Sequence, residues 1–429
     1  MTALPIATIA PAASYASRVQ KIITPAGLEC WLVEDYAVPL VAFDFAFRGG
    51  NTQDPKGREG ATSMLAGLLD EGAGDMNADA FHRALDDKAV EISFSADRDL
   101  FGGRLKTLTR HIDAAFDLLR LSVNEARLDE DAIERVRSQM IAGLKREAKD
   151  PDALVGKAFR EMAFPGHAYG RPGRGTMESV PVITRDDLIG LRGSIMARDS
   201  LKIAAVGAID AKRLASLIDH VFGDLPATGK LVAIPDVTLS HQGERHIIDV
   251  DVPQSTIRFA LPGLARKDPD FMIATVVNHI LGGGVFSARL FKEVREKRGL
   301  AYSVYSSLAN FKHAALFSGG TSTKNERVAE SLSVIEEEIA KMAAEGPTAD
   351  ELDKAKKYLT GSYALRFDTS TKICEQLVHL QTEGFAVDYL DERNGLIQAV
   401  TLEQTQRVAK RLFDGKKLLV TIAGRPEGL

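Results

Sequence analysis

The chain passes through the same order of segments twice, and that repetition limits its fold more than any other feature. LECWLVEDYAVPLVAFDFAFRGG and HIIDVDVPQSTIRFALPG each supply two extended apolar runs that close on glycine. Late in each half, LKIAAVGAID and KKLLVTIAG add a corresponding apolar strand. Each copy must bury a sheet, and with helical segments between the strands the simplest solution is α+β with helices laid on one sheet face. The boundaries fall at 18–228 for the first unit, 229–241 for a linker and 242–429 for the second. The segment ATGKLVAIPDVTLSHQGERH has the mixed polar and extended composition of such a linker. The fold class expected is therefore α+β, two homologous domains, each a mainly antiparallel sheet covered by helices.

Local patterns place the elements. Val41, Phe43, Phe45 and Phe47 recur with period two and line one sheet face. After the loop GGNTQDPKGREG, helices are expected over Ala61–Leu69 and Ala78–Asp86, then a strand over Glu91–Ala96 before DRDLFGG turns the chain. Helical spacing dominates 106–149, and a further helix covers Ala211–Phe222. In the second half, helices are expected over Phe271–Leu281 and Ser287–Lys297.

Composition excludes some function classes. With 26% charged residues and a net charge of -5, the chain lacks the basic surface that holds a phosphate backbone, so nucleic acid is not a partner. No run reaches the roughly 18 consecutive apolar residues of a membrane span. Cys30 and Cys374 are the only cysteines, with no CxxC pair, and read as small buried apolar side chains. The opening MTALPIATIAPAAS is apolar but short, carries prolines and lacks a basic start, so it is not a complete signal peptide. Bacterial cytoplasm and periplasm both stay open.

Several longer motifs together resemble the insulinase/pitrilysin peptidase family, in particular the bacterial relatives of mitochondrial processing peptidase. They are FAFRGGNTQDPKGREG, HAYGRPGRGTMESVPVITRDDL and LGGGVFSARLFKEVREKRGLAYSVYSS, set in the two-half organisation. The resemblance implies half of a clam-shell peptidase, in which active members carry a zinc-binding HxxEH on an early helix. Imidazoles at i and i+4 converge on a metal while the glutamate handles the proton of the attacking water. Here that segment reads Ser63-Met64-Leu65-Ala66-Gly67, so serine, alanine and glycine (Ser63, Ala66 and Gly67) replace all three chemical handles. Neither serine alone nor glycine replaces a pair of nitrogen ligands. The helix therefore reads as structural, with Met64, Leu65, Leu68 and Leu69 packing and Gly67 allowing a close approach. Glu134 stands where the resemblance would put a further ligand glutamate, and reads as a solvated surface charge or a helix salt bridge. His82, His111 and His167 form no ligand cluster. No metal or other cofactor is expected in this chain.

The same resemblance assigns a role to FKEVREKRGLAYSVYSS. Leu290, Phe291 and Val294 form a packing stripe, and Gly299 ends the helix in a left-handed conformation. Relatives carry an arginine and a tyrosine seven positions apart, and these fall on Arg295 and Tyr302. The implied roles are a peptide-carbonyl anchor for Arg295 and an oxyanion donor for Tyr302. Arg298 is a lesser candidate, read as a helix-end charge. Gly282-Gly283-Gly284 is neither a GxGxxG fingerprint nor a P-loop and reads as a flexible turn. Arg171 and Arg174, in the loop HAYGRPGRGT, are expected to meet acidic groups.

The expectation is a non-zinc subunit of a heterodimeric zinc metalloendopeptidase, contributing Arg295 and Tyr302 in trans to the HxxEH site and zinc of a homologous partner. No independent hydrolysis is expected, and the substrate would be an unstructured peptide. The alternative is a non-catalytic peptide-binding or assembly subunit of a larger complex. Whether the chain forms a homodimer when alone stays open.

Overall fold

Phe43, Phe45 and Phe47 point to one side of the same strand, and their rings meet Phe116 and Phe222 on helices above it, with Phe43–Phe116 at 5.1 Å and Phe45–Phe222 at 5.0 Å. That strand is central to the first of two sheets in the computed structural model, which describes residues 14–429. The expectation for MTALPIATIAPAAS falls almost wholly outside the described residues.

The first half contains strands β1 (Gln20–Ile23), β2 (Glu29–Glu34), β3 (Leu40–Arg48), a small ribbon of β4 (Gly72–Ala73) and β5 (Met76–Asn77), then β6 (Glu91–Ala96), β7 (Leu100–Leu108) and β8 (Lys202–Gly207). Its helices are α1 (Ala61–Ala66), α2 (Ala78–Asp86), α3 (Ile112–Asn124), α4 (Glu130–Glu147), α5 (Pro151–Ala163), α6 (Arg185–Ile195) and α7 (Ala211–Phe222). The second half contains β9 (Arg245–Ile248), β10 (Gln254–Pro262), β11 (Ala301–Asn310), β12 (Ala315–Lys324) and β13 (Leu419–Ala423). Helices α8 (Phe271–Asn278), α9 (Val328–Glu345), α10 (Ala349–Gly361), α11 (Ser370–Glu383), α12 (Tyr389–Gln398) and α13 (Leu402–Phe413) accompany them.

The six-stranded sheet has the order β1-β2-β8-β3-β7-β6 and the five-stranded sheet the order β11-β12-β10-β13-β9. Read from the other edge, the second becomes β9-β13-β10-β12-β11, which matches β2-β8-β3-β7-β6 strand for strand in chain order. The single parallel pair also corresponds: β2 with β8 in the first sheet, β13 with β9 in the second. All other neighbours in both sheets run antiparallel. The class is mixed α+β with antiparallel-dominated sheets covered by helices.

Several strands escape the sequence patterns, among them β1, β12 and, most plainly, β7. Residues 100–108 form β7, although LFGG reads as a turn and the residues beyond it as helix. The glycines there are a packing device: a Cβ on Gly103 would stand 2.2 Å from the Phe45 ring, which lies across the strand at that point.

Each sheet buries both faces, and the second cover comes from the other half of the chain. Helix α11 lies on β3 and β8 of the first sheet. There Cys374, Leu377 and Leu380 pack against Trp31, Val33, Ala42, Ala204 and Val206. In the reverse direction α5 lies on β10 and β13. Phe159, Ala163 and Phe164 meet Ala260, Leu316 and Leu419. Helices were expected on one face only; Ala42 and Ala204 in the first sheet and Ala260 in the second leave room on the opposite face for a helix of the other half. Each fully buried large apolar side chain in these layers contributes about 1.5–3 kcal/mol, so the exchange ties the halves together.

Candidate functional site

Helix α1 carries Ser63 and Ala66, and Gly67 follows it, the positions that the sequence resemblance aligns with HxxEH. It starts at Gly60 and stops at Ala66, shorter than the Ala61–Leu69 expected, because Gly67 leaves helical geometry with ψ 1°. Its N-terminus is fixed by Asp54, whose carboxylate accepts from the Gly60 and Thr62 amides at 2.7 Å each and from the Thr62 hydroxyl. Burial pushes the Asp54 carboxyl up, and the bonds from Thr62 and Gly60 pull it back only partly, leaving it at about 6.

The donor set does not fit zinc. The Ser63 hydroxyl donates to the Gly173 carbonyl at 2.9 Å. Ala66 is buried and offers no donor atom, and Gly67 has no side chain. Glu134 on α4 accepts from Arg137 at 2.8 Å, and Arg137 continues into the interior to the carbonyls of Val180 and Ile183. Among the described residues no group of three or more His, Cys, Asp or Glu side chains is arranged to hold a metal ion. Met64, Leu65, Leu68 and Leu69 are fully buried, so the helix packs. Gly67 differs from expectation, since a Cβ there would sit 3.5 Å from Val136, an ordinary contact; close approach does not require the glycine. His167 is a loop residue whose Nε2 faces the Pro235 carbonyl at 3.0 Å while Nδ1 accepts from the Tyr169 amide.

Arg295 and Tyr302 are brought together. A π-helical turn over Phe291–Glu296, rather than the regular helix expected, carries Arg295. Gly299 then takes φ +59°, and its amide reaches the Arg295 carbonyl while the Leu300 amide reaches that of Val294. The chain enters β11, whose pairing slips between Ala301 and Val304. This irregularity leaves Tyr302 and Ser303 both exposed while Ala301 and Val304 enter the core. The Arg295 guanidinium lies 4.5 Å from the Tyr302 ring centroid and 4.8 Å from that of Phe291. Tyr302 is 82% exposed, which rules out a core aromatic. Among the described residues the Arg295 guanidinium has no hydrogen bond or ion pair, so its donors stay available. Arg298 is different: it is committed to Glu293 at 2.7 Å, as is Lys297 at 2.6 Å.

The glycine run is an ordered part of the scaffold and not a free turn. Gly282 and Gly283 close a π-helical turn, His279–Gly283, that packs on β11. Arg174 meets Glu147 at 2.7 Å as expected, whereas Arg171 donates to the carbonyls of Asp54 and Thr52. Sequence reasoning missed Asp54, which reaches the helix start from six residues before Gly60, outside the position where a capping side chain is read from sequence.

The fold and the site define a paired α+β peptidase architecture without metal-binding side chains at the zinc position. Comparison with known proteins agrees. A family described as "Peptidase M16 inactive domain" matches residues 183–359. The chain is 28% identical to the non-peptidase homolog YmxG of Helicobacter pylori, over 86% of each chain. It is 25% identical to an uncharacterized zinc protease of Streptomyces coelicolor, over 95% of this chain and 89% of the relative. The crystal structure of a peptidase M16 inactive domain from Pseudomonas fluorescens superposes with TM-score 0.88 at 26% identity, covering 95% of this chain and 98% of that one. These matches support an inactive relative of the peptidase M16 family, the insulinase/pitrilysin group.

Proposed function

We propose that this chain is the non-zinc subunit of a two-chain peptidase, completing the active site of a homologous HxxEH-bearing partner. One observation carries the reading: Arg295 and Tyr302 are stacked on each other with their polar groups uncommitted, in a chain whose own zinc positions have lost every ligand. A structural pair would be buried or ion-paired, as Arg289 is with Glu351.

The zinc would belong to the partner and supply the activated water. This chain's part is to hold and to stabilise. Arg295 donates to a backbone carbonyl of an unstructured peptide, and Tyr302 donates its hydroxyl proton in a hydrogen bond to the oxyanion formed at the scissile carbonyl. The stack with Phe291 and Tyr302 fixes the guanidinium plane before substrate arrives, which limits the ordering cost at binding.

The second reading, a non-catalytic peptide-binding or assembly subunit, is favoured by the similarity to a relative named as a non-peptidase homolog. In that case Arg295 and Tyr302 would be contact residues only.

The deciding experiment titrates purified chain into a fixed amount of an HxxEH homologue from the same source and follows cleavage of an unstructured peptide. Activity absent from either component and saturating near equal stoichiometry supports the shared site. No activation, with both components folded and several peptides tried, favours the assembly reading.

A further inference from the structure

Ser63 of the former zinc helix lines a cavity of about 500 Å³, together with five arginines, Arg98, Arg160, Arg171, Arg174 and Arg258. Two of the five are spent: Arg171 on backbone carbonyls and Arg174 on Glu147. The other three make no side-chain hydrogen bond or ion pair among the described residues. They come from three places: Arg98 from the β6–β7 turn, Arg160 from α5, and Arg258 from the face of β10 that α5 covers. Arg160 and Arg258 converge closely, since Nη1 of each lies within 3.6 Å of one point beside Gly156. Arg98 spans the halves, its guanidinium 4.4 Å from the Phe311 ring in the β11–β12 turn.

No carboxylate around the cavity is hydrogen-bonded or ion-paired to these three arginines among the described residues. Asp97 accepts the amides of Asp99 and Leu100, Asp150 caps α5 through the Asp152 amide, and Asp152 is exposed. Arg160 Nε is buried without a partner. Burial pushes the ionisation of Arg98 and of Arg160 down; Asp97 and Asp99 offset part of this at Arg98, while at Arg160 the neighbouring arginines add to it. Half-buried like charges without a hydrogen-bonded counter-charge are costly to the folded state. Such a violation of ordinary packing rules marks a site kept for a ligand.

We propose that Arg98, Arg160 and Arg258 form an oxyanion subsite that receives an acidic side chain of a peptide lying along the cavity. This rests on the peptide-holding reading above and names its substrate class. Guanidinium forks match carboxylates in plane and spacing, and charge-assisted bonds of this kind are strong where water is partly excluded. The net charge of -5 argues for one local acidic group rather than an extended polyanion, which the chain as a whole would repel.

The test measures affinity of three labelled peptides of equal length for the full chain, alone and with an equimolar HxxEH homologue. The peptides carry glutamate, glutamine or lysine at one central position. The glutamate peptide is expected to bind about tenfold tighter than the glutamine peptide. Arg160→Gln and Arg258→Gln are expected to bring the two within about threefold of each other, while thermal melts confirm folding. Because the wild-type preference is itself a readout, misfolding of a variant leaves the proposal testable. Equal wild-type affinity for glutamate and glutamine peptides overturns the subsite and leaves peptide holding intact. No binding by any peptide, with either protein state, overturns both. Inorganic phosphate serves as the competing probe: phosphate binding abolished by Arg160→Gln, without a glutamate preference, overturns the peptide assignment in favour of a small phosphorylated ligand.

Discussion

The Arg295 guanidinium lies over the Tyr302 ring, 4.5 Å from its centroid, across a chain reversal at Gly299. The two side chains therefore move as a unit, and the roles proposed for them separate by chemistry. Tyr302→Phe keeps the stack and removes the hydroxyl. It is expected to lower kcat of the assembled peptidase by roughly 10²–10³, with KM and subunit affinity nearly unchanged. Arg295→Ala removes the carbonyl donor and the stack, so KM rises as well. Steady-state kinetics on the reconstituted pair checks both, and unchanged turnover in Tyr302→Phe would reject the oxyanion role.

Asp54 is expected to make stability fall with rising pH. Its folded-state carboxyl sits at about 6, above the ordinary aspartate value of 3.8, so the native state binds more protons than the unfolded state between those values. Its contribution is full below pH 4 and is lost as pH rises through 6, by on the order of 3 kcal/mol. Asp54→Asn should remove this dependence, so that the variant gains on the wild type between pH 4 and 7. Urea melts at a series of pH values measure the difference.

The pair Arg289–Glu351 has the opposite sign. Burial alone would raise the Glu351 carboxyl, but the bidentate bonds from Arg289 at 2.7 Å and the Thr348 amide outweigh it and hold the group at about 2. Its stabilisation is present above pH 4.5 and is lost as pH falls through 2. Glu351→Gln should cost roughly 2 kcal/mol at pH 7, since Arg289 is left half-buried without its partner, and the deficit should shrink in acid. Equal deficits at pH 7 and pH 3 would count against this account.

The exchange of α5 and α11 between halves should make unfolding cooperative across them. Trp31, the only tryptophan, lies in the layer under α11. Leu377, fully buried there, belongs to the other half. Leu377→Ala is expected to cost about 2–5 kcal/mol and to shift Trp31 fluorescence and far-UV circular dichroism together. Separate transitions by the two probes would show that the halves unfold independently.

Both thiols should be inert in the native protein. Cys30 and Cys374 are fully buried and burial pushes each thiol up, while Cys374 donates to the Ala204 carbonyl at 3.0 Å. A thiol reagent in excess is expected to label neither until denaturant is added, and both afterwards.

The sequence by itself determined the elements that depend on near neighbours. The period-two phenylalanines of β3, the duplicated strand order and the glycine corner at Gly299 are local statements, and each holds in three dimensions. The lack of nitrogen ligands at Ser63, Ala66 and Gly67 was legible for the same reason: ligand spacing on one helical turn is a property of five consecutive residues.

Tertiary structure decided what depends on contact between distant segments. β7 hid behind its glycines because the Phe45 ring that needs the space belongs to another strand. The second cover on each sheet was invisible because α5 and α11 are amphipathic toward a surface contributed by the other half. Arg98, Arg160 and Arg258 stand in separate segments and share no motif along the chain. Only folding places them at one cavity without partners, because charge interactions follow distance in space and burial, neither of which is encoded by spacing along the chain.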